Sequence, residues 1–209
     1  QSSSQATGTT SSTTSKTSAV TATTSKKTNK NNSNYFTSKD SDTSYNESSA
    51  TKIKLSGSSA DVSGDGAALS GSTVTISKAG TYVISGKSDG LQIKVDAGDS
   101  DDVHIVLDGV TMTNTNAAIN ATKAGHVYLT LKDGTTNTLS DSSSNSDEDA
   151  DAVIFSKEDL TINGTGTLNI DAKKNNGIKA NDSLHMTGGT YKISSVGDAF
   201  NVNDELNIT

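Results

Sequence analysis

The 209-residue chain contains no cysteine, no proline, no tryptophan and no arginine. Without Cys there are no disulfide staples and no thiolate metal sites, although this does not fix the compartment. Without Arg there is no planar fork for bidentate contacts to phosphate or base edges, and all 17 basic residues are Lys. Aromatics are scarce at 4%, and hydrophobic residues reach only 30%, well below the roughly 45–50% of an ordinary globular domain. No apolar run approaches the roughly 18 residues of a membrane-spanning helix. No signal peptide is visible, and the chain opens at Gln1, which reads as a processed or trimmed product.

What is present falls into two textures. Residues 1–36 hold 19 Ser or Thr, four Lys and no acid. Their sizeable apolar residues are Val20, Tyr35 and Phe36, too few to offset the entropy of ordering. Residues 1–41 are therefore expected to be a disordered leader or tether. The rest carries 13 Lys against 24 acids. Such an acidic body repels phosphate and suits cations, which argues against nucleic acid as a partner.

From residue 42 the pattern is short, β-branched and alternating, with Gly, Asn and Asp between runs such as Val74–Ile76, Val103–Leu107, Val127–Leu131, Leu160–Ile162, Leu168–Ile170 and Leu184–Met186. No stretch has a helical period. A repeat then appears: DAVIFSKEDLTINGTGTLNIDAKKN from Asp151, NGIKANDSLHMTGGTYKISSVG from Asn176, and DAFNVNDELNIT from Asp198. Leu160, Leu184 and Leu206 form one column, and Ile162, Met186 and Ile208 another. The spacing is 24 and then 22 residues, and Asp141–Ala150 is an insertion ahead of it. Three short strands in such a period predict an all-β parallel β-helix, a β-solenoid over 42–209, whose thin tubular core needs few large hydrophobes. The repeat breaks off in mid-rung at Thr209, so the native protein is expected to continue.

Several runs resemble a bacterial carbohydrate-binding β-helix family, formerly a domain of unknown function, with a clostridial polysaccharide-lyase-like member. They are TKIKLSGSSADVSGDGAALSGSTVTISKAGTYVISG, IKVDAGDSDDVHIVLDGVTMTN and LKDGTTNTLSDSSSNSDEDADAVIFSKEDLTINGTGTL. The resemblance covers about four fifths of the chain. It implies a right-handed parallel β-helix, bound calcium, affinity for cellulosic and pectic (galacturonan) polymers, and no established catalysis. Asn176–Gly177–Ile178 departs from the family's acidic rung motif, and the family's later rungs are absent.

The residues suggest chemistry of their own. Glu158, Asp182 and Asp204 recur as one column, and Asp151, Asn176 and Asp198 as a second. Carboxylates stacked about 4.8 Å apart repel, and calcium between them supplies the missing counter-charge. Asp147 and Asp149, with Asp141 and Glu148, extend the acidic supply in the insertion. The metal candidates are thus Asp147, Asp149, Asp151, Glu158, Asn176, Asp182, Asp198 and Asp204, set against the plainer reading of solvated turn acids. For an acidic polysaccharide, Lys157, Lys173, Lys174 and Lys179 are candidate contacts, and Tyr191 would stack on a sugar if it faced outward; Phe200 is placed in the core beside Val153 and Ile178. No catalytic motif is apparent. A uronate lyase would need Lys174 or Lys179 as base beside calcium. His104, His126 and His185 are scattered, and His104 and His185, inside strand runs, read as wall or groove residues. The expected role is a non-catalytic polysaccharide-binding module outside the cell or on the bacterial surface. A calcium-dependent lyase and a structural adhesin are the rivals, and oligomeric state is open.

Overall fold

In the computed structural model, residues 19–23 and 35–209 are described. They form an all-β structure of two sheets, of 12 and 7 strands, with no α-helix among the described residues and one 3-10 turn at Ser38–Ser41.

The strands lie in three files. The first runs β2 (Thr51–Gly57), β6 (Gly80–Asp89), β8 (Asp102–Thr113), β10 (His126–Leu131), β13 (Leu160–Gly164), β16 (Leu184–Met186) and β19 (Leu206–Ile208), every step parallel. The second includes the last residues of β6 and β8, paired with each other, and continues through β11 (Thr136–Ser140), β14 (Thr167–Ala172) and β17 (Thr190–Ser195). β8 is long enough to serve both files, which joins them in the larger sheet. The third is the smaller sheet: β5 (Thr73–Ile76), β7 (Gln92–Asp96), β9 (Ile119–Lys123), β12 (Ala152–Ser156), β15 (Asn176–Ala180) and β18 (Phe200–Val202), again all parallel. Antiparallel hairpin partners β3 (Ser59–Ser63) and β4 (Ala67–Ser70) flank β2 and β5. From β7 onward the chain visits the three files in turn.

Register is the reason this sequence folds so. Val103, Val127, Leu160, Leu184 and Leu206 are successive partners in the first file, and Ile105, Leu129, Ile162, Met186 and Ile208 are the next inward row. All but the last of each row are buried. In the second file Met112, Leu139, Ile170 and Ile193 stack, and in the third Val74, Ile93, Ile119, Ile154, Ile178 and Phe200. A one-residue slip anywhere would turn an apolar row outward, so the alternation itself holds the register. The rows meet in one core cluster running from Ile53 to Ile193. Phe200 packs against that cluster as expected, but its row neighbour is Ile154 and not Val153.

Among the polar side chains in this interior, Asn137 is fully buried. Its Oδ1 accepts from the Gly109 and Val110 amides at 3.0 and 2.9 Å, and its Nδ2 donates to Thr135 Oγ1 and the Thr167 carbonyl at 3.1 and 3.3 Å. With its amide capacity filled, it clasps the bend of β8, where Gly109 adopts φ +74°.

The body begins earlier than the sequence boundary at residue 42. Residues 35–50 form a strap laid on the outer face of the first file, with Asp40 1% exposed. Within the expected leader, β1 (Ala19–Thr23) also pairs antiparallel with β17; residues 1–18 and 24–34 lie outside the described residues.

Candidate functional site

Strand alternation sends every second residue outward, and parallel register sets outward residues of successive turns one above another. Two files outside the core bear chemistry, one in the turns that precede β13, β16 and β19 and one on the outward face of the strands.

The first lies just before the inward Leu column. Glu158, Asp182 and Asp204 each stand two residues ahead of Leu160, Leu184 and Leu206, which are register partners, so the acids share one level in successive turns. The Asp204 amide reaches the Asp182 carbonyl at 3.4 Å. Partial burial, and then the neighbouring Asp182, push the Glu158 carboxyl above its ordinary value. Partial burial, followed by Asp159 and Asp204, does the same to Asp182. Lys157 opposes the effect on Glu158 from an exposed position. Asp159 is held otherwise, accepting from the Ser183 amide at 3.0 Å.

The second predicted column is brought together off register: Ala152, not Asp151, is the register partner of Asn176, yet buried Asn176 donates from Nδ2 to Asp151 Oδ1 at 3.5 Å. The Asn176 Oδ1 accepts from the Asp198 amide at 3.2 Å. Asp151 instead binds Lys179 Nζ at 2.8 Å and Asn175 Nδ2 at 2.5 Å. Burial would raise its carboxyl, but these donors outweigh that and hold it below the usual carboxylate value. Lys179 also donates to the Asp149 carbonyl at 2.8 Å and lies 5.9 Å from the Phe155 ring centroid. Thus the cation that the column was expected to need is already a lysine of the protein. Asp147 spends its Oδ1 on the Asp149 and Ala150 amides at 3.1 and 3.0 Å, closing its own loop. The insertion is anchored by buried Asp141, which accepts from the Lys173 amide at 2.7 Å and from Asn145 Nδ2 at 3.2 Å.

Lys157, Lys173 and Lys174 are exposed, and Lys173 Nζ lies 3.8 Å from Asp171. Tyr191 is a correction: it is 1% exposed and donates to the Gly188 carbonyl at 2.6 Å, because its position on β17 continues the inward row of Leu168. It offers no face to a sugar.

The second outward file escaped the sequence reading. His104, Tyr128, Thr161 and His185 are successive partners on β8, β10, β13 and β16. Beside them Thr130 pairs with Asn163. Thr130 donates to Asn163 Oδ1 at 2.6 Å, so at 2.7 Å it receives the proton of His104 Nε2. Thr161 likewise donates to Asp40 Oδ1 at 2.6 Å and receives from His126 Nε2 at 2.8 Å. Both imidazoles are thereby fixed as Nε2–H forms, and burial lowers the basicity of each. His126 also stacks on Tyr128, 4.1 Å apart. Over this face lies the strap. Asn163 Nδ2 donates to the carbonyls of Asp40 and Asp42 at 3.2 and 3.1 Å, and Thr187 Oγ1 to that of Asp40 at 2.6 Å. Phe36 meets His185 edge-on, and Tyr45 meets His104. Burial alone would raise the Asp40 carboxyl, but bonds from Thr161 and from the Thr37 amide and hydroxyl, with His185 nearby, bring it below its ordinary value. The available signal was the outward series of His, Thr and Asn together with Phe36, Asp40 and Tyr45 in otherwise Ser-rich sequence.

Residues 70–209 match the family described as carbohydrate-binding domain-containing protein, and the chain belongs to that family. A relative of the same description from Acetivibrio thermocellus is 39% identical over 137 residues, covering 63% of this chain and 48% of the relative. The chain thus spans about half the length of that curated relative. Among solved structures, the polysaccharide lyase-like protein from C. thermocellum, solved as a gadolinium derivative, aligns with a TM-score of 0.57 at 24% identity, over 77% of this chain and 97% of the other. That likeness supports a shared fold.

Proposed function

We propose that this chain is a non-catalytic extracellular module that binds an acidic, pectate-type polysaccharide with calcium as the bridge, and that its three parallel files are the walls of a right-handed β-helix. Membership in a carbohydrate-binding family makes a polysaccharide the partner. The return to the same file every 22–24 residues across β13, β16 and β19 supports the helical path, and parallel crossovers are overwhelmingly right-handed.

The observation that carries the calcium reading is the Glu158–Asp182–Asp204 file, in which burial and neighbouring carboxylates disfavour the charged forms of Glu158 and Asp182. A hard, oxygen-seeking cation relieves that cost, and carboxylates with backbone carbonyls are its donor set. Among the described residues no three His, Asp or Glu side chains converge tightly enough to hold a metal alone. An ion here would therefore depend on water and on the ligand's own carboxylate, which is what a bridge requires. It would supply the positive charge that an acidic body needs to meet a polyanion. The exposed Lys157 next to Glu158 would add to it. The Asp151 region fits calcium poorly because Lys179 holds its place.

The test is affinity electrophoresis in polygalacturonate, with calcium and with a chelator, on wild type and Asp182→Asn. Retardation that needs calcium and falls several-fold in Asp182→Asn is expected. Calcium-independent retardation of wild type, unchanged in the variant, would overturn the bridge.

A further inference from the structure

The strap that covers β13 and β16 makes contacts of an unusual kind for a packing segment. Toward β6 and β8 its far end is apolar, with Tyr45 and Ala50 packed against Val83 and Val106. Over β13 and β16, where Phe36 meets the His185 ring edge-on, its hold is polar and centred on one acid. Thr161 Oγ1 donates to the Asp40 carboxylate, while Thr187 Oγ1 and Asn163 Nδ2 donate to the backbone carbonyl of the same residue. Three side chains from two adjacent turns thus converge on the oxygens of a single carboxylate-bearing unit. The fit is incomplete: His185 Nδ1 is buried without a hydrogen-bond partner and stands 3.4 Å from Asp40 Oδ2.

We propose that Thr161, Asn163, His185 and Thr187 form a carboxylate-binding subsite for a uronate-bearing oligosaccharide, which Asp40 of the strap occupies as an internal stand-in for the sugar acid. This rests on the acidic-polysaccharide reading for the class of ligand, but it uses a different face and no calcium. A carboxylate with hydroxyl and ring oxygens around it offers the acceptors that Asp40 offers with its carboxylate and carbonyl. It would also be free to approach His185 Nδ1, which the strap's own geometry leaves unmet. At the subsite itself one carboxylate replaces another, so its donors lose no acceptor in the exchange. His126 takes part indirectly, orienting the Thr161 hydroxyl toward the acid by donating to it. Internal occupancy reduces the apparent affinity by the fraction of time the strap is open.

The experiment uses the full chain in chelator, with digalacturonate as probe. The chain has three His, all on this face, so their imidazole NMR signals report on it directly. In Asp40→Ala, digalacturonate is expected to bind at least tenfold more tightly than in wild type, to move the His185 and His126 signals, and to lose the gain when Thr161→Val is added. Cellobiose, which lacks the acid, is expected to show no such gain. A folded Asp40→Ala protein that binds digalacturonate no better than wild type overturns the proposal, as does an equal gain for cellobiose or a gain that survives Thr161→Val. If Asp40→Ala does not melt cooperatively, Asp40→Asn is judged by the same outcomes. Chelator removes the calcium bridge from this measurement, so failure here leaves that reading standing, and loss of calcium-dependent retardation leaves this one standing.

Discussion

The two outward files arise from one geometric rule and end in opposite states. Parallel register places like positions over one another, so a row of Leu gains contact, while a row of acids accumulates repulsion. On the strap-covered face the stacked residues are Thr, Asn and neutral His, which donate and accept in sequence and close on Asp40. On the acidic file, Glu158 and Asp182 are driven toward protonation by burial and by one another. The first is a face already satisfied from within; the second still lacks a partner for its charge. Within one architecture, the side chain at a register position decides whether stacking stabilises the fold or leaves a site for something else.

The widest separation between the faces should come from removing their central acids. Asp40→Ala strips the acceptor from the buried Thr161 hydroxyl and the Thr37 amide and should cost about 1–3 kcal/mol, the range for a buried donor left unpaired. Asp182→Ala should change stability by less than about 1 kcal/mol, in the stabilising direction, since like charges in register destabilise by about that much. Urea unfolding of both variants checks this; equal losses would break the distinction.

Acid should divide the faces by sign. The basicities of His104 and His126 are lowered in the fold, so the unfolded chain binds more protons near and below the ordinary value of 6.5, and stability falls with pH there. Asp40 is lowered too. Its contribution is full above the ordinary 3.8 and is lost as pH drops through its folded value. Glu158 and Asp182 are raised above 4.5 and 3.8, so the folded chain takes up protons first, and acidification between those values and the raised ones adds stability. In urea titrations across this range, His126→Gln should flatten the first loss, and Glu158→Gln with Asp182→Asn should remove the opposing gain.

This division shows what the sequence makes legible. Leu160, Leu184 and Leu206, with Ile162, Met186 and Ile208, could be aligned by eye, and they are register partners. Apolar periodicity is a local signal repeated in each turn. The Glu158 level followed from that same alignment. The Asp151 level did not, because turn lengths vary: Ala152 faces Asn176, and Lys179 reaches back to Asp151 from the next turn. Tyr191 was misread because its ring and hydroxyl suit either face, and only the row under Leu168 decides. The strap was hidden because Asp40 acts on Thr161 and Thr187 across 121 and 147 residues, where no spacing rule operates.

Calcium should act on one face alone. If it binds the folded file with no affinity for the unfolded chain, ten times its dissociation constant adds about 1.4 kcal/mol. Differential scanning calorimetry with calcium against chelator should show the rise in wild type and in Asp151→Asn, and its loss in Asp182→Asn. A rise abolished by Asp151→Asn would move the ion to the loop. Lys179→Met asks whether the lysine fills that role. It leaves the half-buried Asp151 with Asn175 as its close partner and should cost about 1 kcal/mol, in line with a partly shielded pair. If calcium restored that loss, the loop would be a metal site that the lysine merely substitutes.

The smallest effect is the most selective. Repulsion between partly exposed charges is screened by salt, and the Debye length shortens from about 30 Å at 0.01 M to about 10 Å at 0.1 M. Wild type should gain a few tenths of a kcal/mol across that interval in chelator, from the acidic file and from the overall charge of −7 together. Glu148→Gln lowers the overall charge by the same amount as Asp182→Asn but sits exposed in the insertion loop. The two variants therefore separate the contributions. If repulsion is concentrated on the file, Asp182→Asn loses more of the salt response than Glu148→Gln, while Thr161→Val leaves it intact because the strap face holds its charge in hydrogen bonds. Identical salt responses in Asp182→Asn and Glu148→Gln would mean that the charge acts as a diffuse shell, and the file would then have no special need for a cation.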